Sequence, residues 1–360
     1  MMRVLSHLRK SGAVYAVFLF FAAATGLAVY ASTMEPQRAS AGPLEPRIEP
    51  VVRDDPTEVV PGSALDTRSQ ALDTLHVAML AASYPRHIEE IRRFDGEWAL
   101  RIGDTWFFWE EGRLLPEDLR PQQASYTALH FYNYRTGPYE VPELTEAQKE
   151  ALRDYEAQVL GQSSGALHRG EYGRHTGFLD ALWGFSNARE ADRAMQRIRF
   201  LNIDTRVHPD IVGPLRGVER DIRAAMQSDS EVRAFVENIL MVSGFFWREV
   251  PGTNVRSFHA YGTAVDLLPR RYNGFGYWRW ARDSGVREWW DVPLEQRYRV
   301  PPAIVTAFET HGFVWGGKWA LFDPVHFEYR PEVVSAARAR ALPPVEARSV
   351  YSPPEASILR

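Results

Sequence analysis

The clearest periodic signal lies in the middle of the chain. Ile211, Leu215, Val218 and Ile222 recur at helical spacing, as do Val232, Phe235, Val236, Ile239 and Leu240. Each set predicts a helix that buries one face. Ala191, Met195 and Ile198 predict a third, shorter one. Upstream, Leu144-Thr145-Glu-Ala-Gln148 predicts a helix start, with a Thr cap, a Gln three residues on and a Leu staple before it. Leu152, Tyr155 and Val159 continue that face until Gly161. Trp98 to Ile102 alternates apolar and polar residues, Gly103-Asp104 offers a turn, and Thr105 to Trp109 resumes, which predicts a β-hairpin.

From Phe245 onward the pattern turns to strands. Phe245–Arg248, Thr263–Leu268, Phe313–Trp315 and Val325–Tyr329 read as strands, with a turn at Pro251-Gly-Thr-Asn254. Pro301 starts a helix that runs through Phe308, and Gly312 stops it. Helices followed by strands, without regular alternation, predict an α+β fold with a small antiparallel sheet.

The N-terminal part has a different character. No charge appears from Gly12 to Ala31, and Arg3, Arg9 and Lys10 flank the run on its N-terminal side. About 20 apolar residues span a bilayer as a helix. The basic flank predicts a cytoplasmic N-terminus and an extracytoplasmic remainder. A cleaved signal peptide is the alternative; the run is long for one, and no clean Ala-x-Ala site follows. Pro36, Pro43, Pro46, Pro50, Pro56 and Pro61 then punctuate an aromatic-free stretch that reads as a semi-extended spacer. The expected organisation is a membrane anchor or signal segment at 1–32, a Pro-rich spacer at 33–68, an N-terminal region of no legible role at 69–185, a domain carrying the candidate chemistry at 186–335, and a tail at 336–360.

A formal charge of -4 over 360 residues gives no reason to expect nucleic acid as a partner. The chain has no cysteine, which excludes disulfides, thiolate metal ligands, a cysteine nucleophile and a lipid-modified N-terminal cysteine.

His259 and Asp266 stand among apolar residues in Arg256–Leu268, and His326 stands in Asp323-Pro-Val-His-Phe-Glu-Tyr329. Two imidazoles and one carboxylate suit a catalytic zinc with its fourth position left to water. His259 and Asp266 are seven apart, so one unbroken strand would point them to opposite faces. Gly262 permits a turn or bulge that resets the phase. Pro324 likewise predicts Asp323 on a turn and His326 on the strand that follows. His76, His87, His130, His168 and His175 lack ligand spacing and read as surface or packed histidines. The plain alternative for His259, Asp266 and His326 is three unrelated polar residues at sheet edges.

Ser257-x-His259-x-x-Gly262-x-Ala264-x-Asp266 resembles the first motif of the D-alanyl-D-alanine carboxypeptidase family of zinc peptidases. That family includes the VanX and VanY enzymes and the L-alanyl-D-glutamate peptidases of phage endolysins. Gly312-Phe-Val-Trp-Gly-Gly-Lys-Trp319, followed by Asp323-Pro-Val-His326-Phe-Glu328, resembles the second motif of the endolysin-like branch. The resemblance covers at most the last 150 residues or so. It implies a Hedgehog/D,D-peptidase-like fold, with His259, Asp266 and His326 as ligands of Zn2+ and Asp323 as catalytic base. Arg248 falls where the family places a substrate-binding arginine, with Arg256 as competitor, and Ser257 is implied as a polar contact to substrate. VanX and VanY types carry Glu at the base position, and this chain carries Asp. The implied activity is hydrolysis of peptidoglycan stem peptides, as a D,D-carboxypeptidase or an L-alanyl-D-glutamate endopeptidase. With the N-terminal segment it implies a single-pass protein of the cytoplasmic membrane with a periplasmic catalytic domain. A non-catalytic wall-binding module with a structural metal site is the alternative.

Overall fold

A computed structural model describes residues 52–53, 64–128, 134–139, 141, 143–150, 152–153, 173–250 and 255–341. The chain divides into units 1–47 and 48–360, and every described residue lies in the second.

Strand β1 (Val52–Arg53) and helix α1 (Ala64–Ser83) come first, so helix begins inside the stretch read as spacer. The expected hairpin follows. Strands β2 (Glu90–Phe94), β3 (Glu97–Ile102) and β4 (Thr105–Phe108) are antiparallel, with Ile102 opposite Thr105 across Gly103-Asp104. Strand β5 (Leu115–Pro116) extends this sheet beyond β4, and β1 lies parallel to β2 at its other edge. Two short strands, β6 (Tyr126–Thr127) and β7 (Gly173–Arg174), pair in parallel. Residues 146–150 are helical, and Thr145 caps them as expected. Its N–H donates to Gln148 Oε1 at 2.8 Å, and its Oγ1 accepts from Gln148 N–H at 3.3 Å. Tyr155, Val159 and Gly161 lie outside the described residues.

Helices α2 (Gly177–Trp183) and α3 (Ala188–Ala194) lead to a hairpin of β8 (Gln196–Phe200) and β9 (Ile203–Val207). This corrects the helical face expected through Ile198. The helix ends at Ala194, Met195 is extended, and Ile198 and Phe200 alternate into the core from β8. Leu201 and Asn202 take φ of 49° and 67°, the left-handed pair that suits the twist of a two-residue hairpin turn.

Helix α4 (Pro209–Ala225) buries Ile211, Leu215, Val218 and Ile222, as their spacing predicts. His208 caps it: its Nδ1 accepts from Asp210 N–H, and its Nε2 donates to the Trp183 carbonyl. Helix α5 (Ser230–Asn238) buries Val232 and Phe235 but stops short of the last two expected residues. Ile239 and Leu240 belong instead to strand β10 (Ile239–Ser243), which pairs with β11 (Ala264–Pro269) in a register that shifts between Ile239 and Met241. Leu240 is left exposed. Nor is Phe245–Arg248 a strand. Phe245 N–H donates to Arg206 and Phe246 N–H to His259, single bonds rather than a ladder.

Helix α6 (Trp278–Asp283), helix α7 (Pro302–Thr310), strands β12 (Phe313–Trp315) and β13 (His326–Tyr329), and helix α8 (Pro331–Ala341) complete the described chain. The second main sheet is antiparallel, in the order β10-β11-β13-β12. Helices on small antiparallel sheets make the described residues α+β. The transmembrane helix included in the expected fold class is corrected: among the described residues no helix is long and apolar enough to cross a membrane. The apolar run at 12–31 lies outside them.

One core lies under the second sheet. Phe308 of α7 stacks on Phe327 of β13 with ring centroids 3.8 Å apart, beside Phe313 and the apolar face of α4. Burying one such side chain contributes about 1.5–3 kcal/mol. A second core joins the two halves of the described chain. Val77 and Leu80 of α1 and Phe107 of β4 cluster with Phe258, Tyr261, Val314 and Val333. At its edge the Tyr84 hydroxyl donates to Glu332 Oε2 at 2.6 Å.

Candidate metal centre

The site is built where a tight turn meets two paired strands. Ser257 caps a short 3-10 turn, Phe258–Tyr261, by accepting from His259 N–H at 3.3 Å. Gly262 ends the turn at φ 67°, and β11 starts two residues later. A Cβ at Gly262 would run into Met195 Sδ and the His208 backbone nitrogen. Only glycine therefore allows this reversal at low cost. It is the phase reset that lets His259 and Asp266 share a face. In the ladder Asp266 stands directly opposite His326. His326 N–H donates to the Asp323 carbonyl at 3.1 Å, so Asp323 sits on the turn that leads into β13.

Three ligand-type atoms converge. His259 Nε2 lies 3.1 Å from Asp266 Oδ1 and 3.2 Å from His326 Nδ1, and His326 Nδ1 lies 2.7 Å from Asp266 Oδ1. Among the described residues this is the group of His, Asp and Glu side chains able to hold a metal ion. The opposite nitrogens are engaged from behind. His259 Nδ1 is 2.6 Å from the Gly244 carbonyl, and His326 Nε2 is 3.3 Å from Glu328 Oε1. A carbonyl can only accept, so His259 Nδ1 carries the proton and Nε2 turns its lone pair toward Asp266 and His326.

The electrostatics follow from this crowding. Burial works against charge on Asp266, but the two imidazoles outweigh it and hold the carboxyl well below the usual carboxylate range. Burial likewise opposes charge on His326, yet its bonds to Asp266 and Glu328 raise it to about 10. Asp323 is pushed up to about 6, by burial first and then by the Asp266 carboxylate, with His326, His259 and Arg248 pulling the other way. Asp323 Oδ1 is buried with no hydrogen-bond partner among the described residues.

That orphaned oxygen, and a donor set whose outward nitrogens already have acceptors, fit a bound divalent ion. Zinc takes His nitrogen and carboxylate oxygen at about 2.0–2.2 Å, and ligand atoms roughly 3 Å apart match that reach.

Residues 251–329 match a family model described as D-alanyl-D-alanine carboxypeptidase. The match supports a peptidase. It takes in Ser257, His259, Asp266, Asp323 and His326, with Arg248 just ahead of it. Residues 76–131 match a model described as a domain of unknown function. No curated protein and no solved structure matches the chain.

Beside the peptidase stretch the two competing arginines are held differently. Arg256 is committed to the protein: it donates to Asp180, to the Tyr261 hydroxyl at 3.1 Å and to the Ser186 carbonyl at 3.2 Å, and it lies 4.5 Å over the Trp247 ring. Among the described residues Arg248 makes one long bond, 3.4 Å, to the Glu249 carbonyl, and is near enough to act electrostatically on Asp323. Ser257 is buried, and its hydroxyl is occupied in capping the His259 turn.

Sequence reasoning left four contributors without an assigned role. The Gly244 carbonyl leaves no trace in a side-chain pattern. Glu328 shares strand parity with His326, which was the available hint of its place behind the ring. Tyr272 and Tyr277 come from an irregular aromatic loop, and both feel the Asp323 charge.

Proposed function

We propose that this protein is a zinc-dependent peptidase that hydrolyses peptidoglycan stem peptides. The observation that carries the reading is the meeting of His259 Nε2, Asp266 Oδ1 and His326 Nδ1 at mutual distances of 2.7–3.2 Å, with Asp323 on the adjoining turn. Those three atoms would hold the ion. A zinc ion bound there would supply Lewis acidity and would bring the pKa of a water toward about 7. Asp323, its carboxyl raised toward neutrality by burial, takes a proton from the attacking water and returns it to the leaving amine. Arg248, near enough to Asp323 to act on it electrostatically, offers a guanidinium suited to a substrate carboxylate or a developing oxyanion. Glu328 and the Gly244 carbonyl keep the two imidazoles in the ligand orientation. Such a substrate places the working protein outside the cytoplasmic membrane.

The test is digestion of purified sacculi with and without a chelator, read by mass spectrometry. New peptide termini that vanish on chelation and return with Zn2+ are expected. Their identity separates D,D-carboxypeptidase from L-alanyl-D-glutamate endopeptidase cleavage. Tight binding with no new termini at any metal concentration overturns the reading.

A further inference from the structure

Residues 134–139 lie in neither matched stretch. They nonetheless cross the peptidase region at the turn that supports Asp323. The crossing is fastened by a buried ion pair, Lys318 with Glu309, whose side chains are 3% and 4% exposed. The Lys318 ammonium has three donors, and each finds an acceptor: the Arg135 carbonyl at 2.7 Å, the Gly137 carbonyl at 2.9 Å and Glu309 Oε1 at 2.5 Å. Glu309 answers on both oxygens, accepting from the Tyr134 hydroxyl at 2.6 Å and from Gly137 N–H at 2.9 Å. The Tyr134 hydroxyl also accepts from Trp315 N–H at 2.9 Å. Farther along, Tyr139 is hydrogen-bonded to buried Arg297, which donates to the Gly317 carbonyl at 3.3 Å.

The turn so gripped, residues 315–318, is the one that holds the proposed base. The Gly316 carbonyl accepts from Asp323 N–H at 2.9 Å and from Trp319 N–H at 3.1 Å. A Cβ at Gly316 would lie 2.7 Å from the Asp323 carbonyl oxygen, so the two backbones are in close contact. The Trp315 indole N–H donates to the Pro324 carbonyl at 2.8 Å. The 134–139 segment therefore braces one side of a turn whose other side is the backbone of Asp323 and Pro324.

We propose that residues 134–139, locked by the Glu309–Lys318 pair, are a positioning strap for Asp323, so that the site is complete only with a segment from outside the peptidase match. Tyr134, Glu309 and Lys318 touch none of the three ligand atoms and act through the turn. The assignment rests on Asp323 being the base. A displacement of about 1 Å at such a group costs on the order of 10²-fold in rate.

The test uses the full chain loaded with Zn2+. Removing one charge of a buried pair strands the other, so the variant is the double replacement Lys318→Met with Glu309→Gln, which removes both. Tyr134→Phe serves as a milder second variant. Amide exchange of Trp319 and Asp323 is expected to quicken 10-fold or more, while the amides of β11 and β13 keep their protection. Zinc content and KM stay within twofold, kcat falls about 10- to 100-fold, and adding Asp323→Ala to the strap variant costs no more than Asp323→Ala alone. Unchanged exchange at Trp319 and Asp323 overturns the strap. So does quickened exchange with wild-type kcat, or a loss that multiplies fully with that of Asp323→Ala. A wild type that cuts no wall peptide overturns the proposed function instead, and the exchange result still decides whether the strap holds the turn.

Discussion

His326 is held between two carboxylates, with Asp266 at Nδ1 and Glu328 at Nε2. Glu328 fixes the ring rather than joining the candidate ligand set, and outer partners of this kind are worth about 10- to 100-fold in metal affinity. Glu328→Gln should therefore weaken zinc binding by that factor, read by competition with a chromogenic chelator. The variant should keep the wild-type far-ultraviolet circular dichroism. Asp323 is the complementary case. It belongs to the turn before β13 and offers an orphaned oxygen. Asp323→Ala should retain zinc at wild-type stoichiometry and lose about 10²- to 10⁴-fold in kcat on wall peptides. Retained turnover removes it as the base. His326 and Asp266 stood out in the sequence because polar groups in apolar strands need partners, and Asp323 through the motif resemblance, whereas the place of Glu328 behind the ring did not. Nor did the roles of the two arginines. Arg256 is taken up by Asp180, far away in sequence, and that pairing leaves Arg248 as the arginine that acts electrostatically on Asp323.

At the scale of elements, the site depends on two interruptions of regular structure. The one at Gly262 converts an odd separation into a shared face. Gly262→Ala must hold a left-handed φ and push aside Met195 and the His208 backbone. A destabilisation of about 1–3 kcal/mol is expected, measured as a lower denaturant midpoint at unchanged slope, together with weaker zinc binding. The helical spacing of Ile211 to Ile222 predicted α4 because one face of a long amphipathic helix decides its own burial. The same reasoning failed at Ile198, Ile239 and Leu240. Ile198 pairs with Thr205 and Ile239 with Pro269, strand partners that outweigh a local period, and Leu240 falls at the register shift between Ile239 and Met241. In Leu240 the outcome is visible: an apolar residue that a helix would have buried is exposed on β10.

Across the whole molecule, α1, the first sheet and the peptidase strands share one core. That core buries His76 against Trp109, and burial, aided by Arg340, lowers its imidazole to about 4. An unfolded histidine titrates near 6.5. Between those values the unfolded chain binds the proton and the folded chain does not. The contribution is thus fully present above about pH 6.5, is lost as pH falls toward 4, and changes no further below that. For a shift of this size the loss is at most about 3 kcal/mol. Thermal melts from pH 7 to 4 should show a shallower acid decline for His76→Leu than for the wild type. Parallel curves rule His76 out as a source of the acid sensitivity. Because α1 belongs to this core, the destabilisation should reach the metal centre rather than stay local.

By itself the sequence determined the chemistry available: which side chains can grip a cation, where a glycine or proline must break a strand, and which helices have a burying face. These are local properties, fixed by side-chain type and spacing along the backbone. The tertiary structure alone decided which arginine stays uncommitted, what stands behind each imidazole, and that residues 134–139 buttress the Asp323 turn. Those outcomes depend on contacts between residues as many as about 180 positions apart. No periodicity encodes such contacts, because packing and buried hydrogen bonds select them only after the elements have formed.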